Sequence, residues 1–122
     1  MKTLCRIPDA ELEIMMVIWD AGTDVTSDYI MEKLKKDWAK PTLLNLLGRL
    51  CDRGFLECTK DGRINIYSSK VKKEEYLELE SKNFLKKLHH NSLTSLVASL
   101  YSGKGVTKED LDELRKFIEE AN

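Results

Sequence analysis

The run Trp38-Ala39-Lys40-Pro41-Thr42-Leu43-Leu44-Asn45-Leu46-Leu47-Gly48-Arg49-Leu50-Cys51-Asp52-Arg53-Gly54 constrains the fold more than any other part of this 122-residue chain. Pro41 suits the first turn of a helix, where its missing N–H has no partner to lose and its φ is already helical. Leu43, Leu46, Leu47 and Leu50 recur at i, i+3, i+4 and i+7, one apolar stripe along a helix. Gly54 supplies the left-handed residue that commonly ends one. The opposite face offers Lys40, Thr42, Leu44, Asn45 and Arg49, mostly short polar groups and cations that can reach phosphates and base edges. Phe55 to Ser69 then reads as two strands joined at Asp61-Gly62, with Lys60 and Arg63 flanking the tip. A helix followed by a basic-tipped hairpin is the order of a winged helix-turn-helix.

The hairpin reading rests on period-2 alternation. Leu56 and Cys58 alternate with Glu57 and Thr59, and Ile64 and Ile66 with Arg63 and Asn65. Asp-Gly between them predicts a type I′ turn with positive φ at both central residues. Upstream, a first helix is expected over Asp9–Asp20. Ala10, Ile14, Val17 and Ile18 form one apolar stripe, and Leu12, Met16 and Trp19 a second. Thr23-Asp24-Val25 is expected as a very short strand. Thr26 or Ser27 caps a second helix, with Ile30 and Leu34 inward and Tyr29 and Met31 on its flanks. Trp38 is read as core.

Charge separates along the chain. The net formal charge is −1, yet residues 1–32 sum to −5, residues 33–73 to +7 and residues 74–122 to −3. The positive block coincides with the proposed helix and wing, where phosphate contact would be rewarded by counterion release.

From about Lys72 to His90 a long helical pattern carries Leu77, Phe84, Leu85 and Leu88. Asn91-Ser92 opens a helix with Leu93, Leu96, Val97 and Leu100 at i, i+3, i+4 and i+7. Thr107-Lys108-Glu109-Asp110 opens the last one in capping-box style, ahead of Leu111, Leu114, Phe117 and Ile118. Three helices with apolar stripes are too few to bury one another well; a second copy of the chain is the simplest remedy, and packing back onto the winged helix is the compatible runner-up. The expected architecture is mainly α with a small β-hairpin wing. A winged helix-turn-helix domain (1–71) precedes a three-helix C-terminal dimerisation region (72–122), with Leu77, Phe84, Leu88, Leu93, Leu96, Val97, Leu100, Leu111, Leu114 and Ile118 at the dimer contact.

Other chemistry finds little support. No apolar run approaches the ~20 residues of a membrane span, and the first residues lack a signal-peptide core, so a cytoplasmic location without membrane insertion is expected. Three cysteines (Cys5, Cys51, Cys58) form no CxxC pair, and His89-His90 has no third ligand near it, so neither a metal nor a cofactor is expected. Neither Cys51 nor Cys58 has a His or acid at a spacing that indicates nucleophilic catalysis, so the chain is not read as an enzyme. A winged helix used only for protein contacts is the alternative, favoured by Leu44 on the outer face.

The whole pattern resembles a known family. Ile7-Pro8-Asp9-Ala10-Glu11-Leu12-Glu13-Ile14-Met15-Met16-Val17-Ile18-Trp19 is similar to the opening of the penicillinase-repressor group, the BlaI/MecI/CopY family. Trp38, Thr42, Leu46, Leu47, Arg49, Leu50 and Gly54 match the frame of its recognition helix. Glu74-Glu75-Tyr76, Asn83-Phe84-Leu85, Ser92 to Val97 and Glu109 to Leu114 resemble its dimerisation region. The resemblance implies a homodimeric repressor on a palindromic operator in double-stranded DNA. In the family's resistance systems a membrane sensor triggers proteolysis within the dimerisation region, which frees the operator.

The chain departs from the family in several places. Ala39-Lys40-Pro41 stands where the family has Ser-Pro-Lys, Leu44 replaces a solvent-facing Lys or Arg, and Asn45 replaces a Thr. These changes bear on which operator is read: a leucine can touch a thymine methyl, and asparagine can pair with adenine. The family's Asn-Phe cleavage pair corresponds to Ser99-Leu100, the candidate cleavage site here. The Cys-rich tail of the copper-responsive branch is missing, and Pro8 replaces the usual capping Ser.

Overall fold

A computed structural model describes residues 5–121, folded as α1 (Asp9–Ala21), β1 (Val25–Thr26), α2 (Ser27–Leu34), α3 (Lys40–Asp52), β2 (Leu56–Asp61), β3 (Ile64–Ser69), α4 (Lys73–His89), α5 (Leu93–Ser102) and α6 (Lys108–Ala121). The three strands form one antiparallel sheet in the order β1-β3-β2. The chain divides into two compact units, Met1–Leu79 and Glu80–Asn122, and the division falls inside α4. No helix among the described residues is long and apolar enough to cross a membrane.

In the first unit the expected stripe of α3 is the centre of the core. Leu43, Leu47 and Leu50 are fully buried, and Leu46 packs at the edge. They meet Ile14, Met15 and Ile18 of α1, Ile30 of α2, and Phe55, Leu56 and Tyr67 of the hairpin. Apolar area removed from water in this way is what stabilises a short three-helix layer over a small sheet. The turn after α3 closes as its sequence implies. Gly54 adopts φ +87°, Phe55 N–H donates to the Leu50 carbonyl at 2.9 Å, and Gly54 N–H to the Cys51 carbonyl at 3.1 Å. This paired closure satisfies carbonyls that the helix end would otherwise leave open.

Several expectations need correction. The short strand is Val25–Thr26, displaced toward α2, because β1 pairs Val25 with Tyr67 and Thr26 with Ile66. Of the two expected caps of α2, the structure uses Thr26, its Oγ1 accepting from Tyr29 N–H at 3.2 Å. The hairpin loop is Gly62-Arg63, since Asp61 already pairs with Ile64. Only Gly62 (φ +68°) has positive φ in that loop, so the geometry is that of glycine leading a two-residue turn and the type I′ expectation fails. The in-out alternation also fades toward the tip. Glu57 through Ile64 are all exposed, Cys58 among them even though it pairs with the buried Tyr67. On α1 the buried positions are Glu11, Ile14, Met15 and Ile18, while Ala10 and Val17 are only partly covered.

Glu11 is the one buried charged residue among those described, at 1% exposure. It shares the inward stripe of α1, and its Oε1 accepts from Arg53 Nη1 at 2.8 Å. Arg53 caps the C-terminal end of α3, so the pair ties that end to α1. A second tie closes the unit. The Tyr76 hydroxyl accepts from Ile7 N–H at 2.8 Å, and the Tyr76 ring packs against Trp19 (5.9 Å between centroids) and Phe55 (6.2 Å). Trp19 Nε1–H donates to the Val71 carbonyl at 2.9 Å. Every buried hydrophobic side chain among the described residues belongs to this unit, and Tyr76 is the last of them.

The second unit contains the end of α4, then α5 and α6. Ser92 Oγ accepts from Ser95 N–H at 3.0 Å and caps α5. Thr107 and Asp110 complete the expected reciprocal box: Thr107 N–H donates to Asp110 Oδ2 at 2.9 Å, and Asp110 N–H to Thr107 Oγ1 at 3.1 Å. His89-His90 does end a helix, and His89 Nδ1 lies 2.9 Å from Ser95 Oγ.

Two outcomes test these ties. Tyr76→Phe leaves the buried Ile7 N–H without that acceptor and lowers stability by about 1–3 kcal/mol, read as a lower urea midpoint. Arg53→Ala strands the Glu11 carboxylate and costs about 2 kcal/mol, discounted because Arg53 reaches water. Replacing both members (Glu11→Met with Arg53→Met) recovers most of that loss. Equal losses in the single and double variants would show that something other than the ion pair is being measured.

Candidate nucleic-acid interface

With Leu43, Leu47 and Leu50 turned inward, the 3.6-residue repeat leaves the other side of α3 to solvent. Thr42, Leu44, Asn45, Gly48, Arg49 and Asp52 are all exposed there. The face therefore presents a hydroxyl, an amide, a guanidinium, one apolar side chain, Leu44 at 37% exposure, and at its C-terminal end the Asp52 carboxylate. Thr and Asn side chains can donate and accept, which suits base edges, while Arg49 is long enough to reach either a base or a phosphate. Lys40 opens the helix, and its Nζ lies 3.3 Å from Asp28 Oδ1. Both partners are well exposed, so the pair holds the lysine weakly and leaves it available to a stronger anion. Ala39 at the N-cap makes no side-chain bond to the first turn.

The wing places the other two candidate contacts at its tip. Lys60 stands opposite Asn65 near the end of β2, and Arg63 occupies the turn itself. Both are exposed, as is Ile64 beside them at 56%. All seven candidates, Lys40, Thr42, Leu44, Asn45, Arg49, Lys60 and Arg63, thus lie on accessible surface of α3 and the hairpin. Trp38 packs against the core, as expected.

The sequence reading missed two features of this region. The first is the Glu11–Arg53 pair: Glu11 stands at i with Ile14, Met15 and Ile18 at i+3, i+4 and i+7 on the buried stripe, but its partner lies 42 residues away. The second is Gly48, an exposed glycine inside α3 that makes no contact requiring it.

Burial pushes the Cys51 thiol above its ordinary pKa, with smaller contributions from Cys58 and Asp52, the opposite of an activated nucleophile. No group of three or more His, Cys, Asp or Glu side chains able to hold a metal occurs among the described residues.

Comparison with known proteins agrees with this geometry. A family model described as penicillinase repressor matches residues 7–120. The penicillinase repressor of Bacillus licheniformis is 33% identical over 121 residues, covering 98% of this chain and 94% of that one. The methicillin resistance regulatory protein MecI of Staphylococcus aureus is 31% identical over 114 residues, covering 93% of each. Among solved structures, the monomeric form of Bacillus licheniformis BlaI in complex with the blaP half-operator superposes with a TM-score of 0.51 at 32% identity. It covers 62% of this chain and 94% of that one. A family model that spans residues 7–120, and relatives above 30% identical along nearly the whole chain, place this protein in the penicillinase repressor family, with a winged-helix fold.

Proposed function

We propose that the protein is a DNA-binding transcriptional repressor that acts as a homodimer on a palindromic operator. The observation that carries this reading is the exposed Thr42–Arg49 face of α3, held rigidly by buried leucines and set in the most basic stretch of the chain. In this reading α3 enters the major groove. Asn45 hydrogen-bonds an adenine edge, Leu44 contacts a thymine methyl, and Thr42 bonds a base or phosphate. Lys40 and Arg49 neutralise phosphates, and Lys60 and Arg63 do so from the wing. The solved complex of the related BlaI with its half-operator supports the reading.

The second unit is the proposed dimerisation region. Phe84, Leu88, Leu93, Leu100, Tyr101, Phe117 and Ile118 are exposed in the single chain, as is Leu77 on the earlier part of α4. Leu93, Val97, Leu111, Leu114 and Ile118 line a groove between α5 and α6, and Leu96 is half-buried beside it. Apolar surface of this extent is covered in stable proteins, and a two-fold copy covers it with its own equivalent. The pairing also supplies two recognition helices for two half-sites.

Release by a protease downstream of a membrane sensor completes the proposal. Ser99-Leu100, the candidate cleavage site, is exposed but lies inside α5, where Ser99 Oγ–H donates to the Ser95 carbonyl at 3.0 Å. A cut there requires α5 to unwind locally first, and it divides the α5 stripe that would hold the dimer.

Titration onto duplex DNA at two salt concentrations tests the first claim. Affinity falls steeply with salt, with a log–log slope of about −0.9 per phosphate contact. Arg49→Ala and Arg63→Ala each weaken binding across all sequences and flatten that slope by about one contact, whereas Asn45→Ala mainly relaxes base preference. Salt-independent or absent binding favours the alternative, a protein-interaction surface centred on Leu44. For the dimer, light scattering gives twice the chain mass, and Leu114→Glu with Ile118→Glu reduces it to one. A monomer at working concentration overturns the two-half-site reading.

A further inference from the structure

Gly48 has no reason internal to the chain to be glycine. It lies in the middle of α3, its φ is outside the left-handed region, and a Cβ built on it meets nothing within 4 Å. Neither a turn nor a close approach of the chain to itself accounts for it. Glycine is among the least favourable residues in a helix interior, because its backbone loses the most freedom on folding. The residues around it define where it points. Gly48 is i+4 from Leu44 and i+3 from Asn45, so it shares their exposed face, and it directly precedes Arg49.

We infer that Gly48 is a depth-setting residue of the DNA interface: its missing side chain lets the α3 backbone sit against the groove, and the duplex fills the space a Cβ would occupy. The inference rests on the DNA-binding reading and deepens it. Its chemical logic comes from the side chains on either side. Thr42 and Asn45 are short, and their polar atoms reach base edges only if the helix axis lies deep. Arg49 could make its contact from further out. A glycine between the short readers and the long cation removes a projection next to Asn45 and Arg49 that would lift this part of the helix. The partner is thus duplex DNA approached through its major groove, and the position acts on specificity through depth rather than through a bond of its own.

The experiment uses the full chain and duplexes that the unmodified protein selects from a random-sequence pool. Gly48→Ala, Gly48→Leu and Arg49→Ala are compared by thermal denaturation and by titration. Gly48→Ala raises Tm by roughly 3 °C, because alanine costs less to order in a helix. The same variant binds the selected duplexes about tenfold more weakly, a loss comparable to one base contact. Gly48→Leu binds more weakly still while keeping its Tm at or above the starting value. The inference is overturned if Gly48→Ala binds as tightly as the unmodified protein, or if its Tm falls, which would reveal an internal requirement for glycine. If Arg49→Ala also binds undiminished, or if no duplex is selected, the DNA-binding reading itself fails and takes this inference with it.

Discussion

The first unit depends on how firmly one helix is seated. Three leucines of α3 have no exposed surface, and each contacts a core drawn from α1, α2 and the hairpin. Their burial determines which side of α3 meets solvent, since a helix rotated to hide Asn45 or Arg49 would bring leucine to the surface. The end of the helix is held separately, by Arg53 on the buried Glu11 carboxylate and by the paired closure through Gly54 and Phe55. Hydrophobic burial sets rotation about the axis, and the directional contacts at the C-terminal end set where that end lies. A surface that reads a partner by short side chains needs both, because such side chains have no length with which to correct an error in placement.

Much of this was legible in the residues. The Leu43–Leu50 spacing identified the helix and its buried face, the two helix caps at Ser92 and Thr107 followed from residue type, and Asp61-Gly62 located the hairpin turn to within one residue. What the pattern did not give was the reach of the core. Cys58 and Ile64 alternate correctly for buried positions, yet both are exposed, Cys58 directly opposite the buried Tyr67. Periodicity reports which residues share a face and is silent on whether that face is covered. The same limit explains α1, where apolar residues on several sides concealed which stripe was innermost, and a glutamate turned out to belong to it. A buried charge is read as surface unless its partner, far away in sequence, is known.

The two units differ in how they satisfy their apolar residues. In the first, a packed apolar core is closed at its edges by polar contacts, down to an indole that bonds the Val71 carbonyl, and only Leu44, Ile64 and Leu77 remain as exposed large apolar residues among those described. In the second, helices with good caps carry large side chains in the open, Phe117 at 68% exposure being the extreme. Local signals are strong there and tertiary ones are weak. That combination fits the proposed role of a region whose core is finished by another copy of itself, and it ties folding of the region to concentration.

The hairpin also separates two kinds of compliance. From Glu57 to Ile64 no side chain is buried, so the outer half of the wing is held by its backbone ladder, which pairs Leu56 with Ser69 through to Asp61 with Ile64. A ribbon supported only along its length is more easily bent across its thin direction than α3, which is anchored on a packed interior. On a duplex whose grooves vary in width, such an arm can follow the local contour without disturbing the helix beside it. In the proposed complex, fidelity to sequence then falls to α3 and tolerance of shape to the wing.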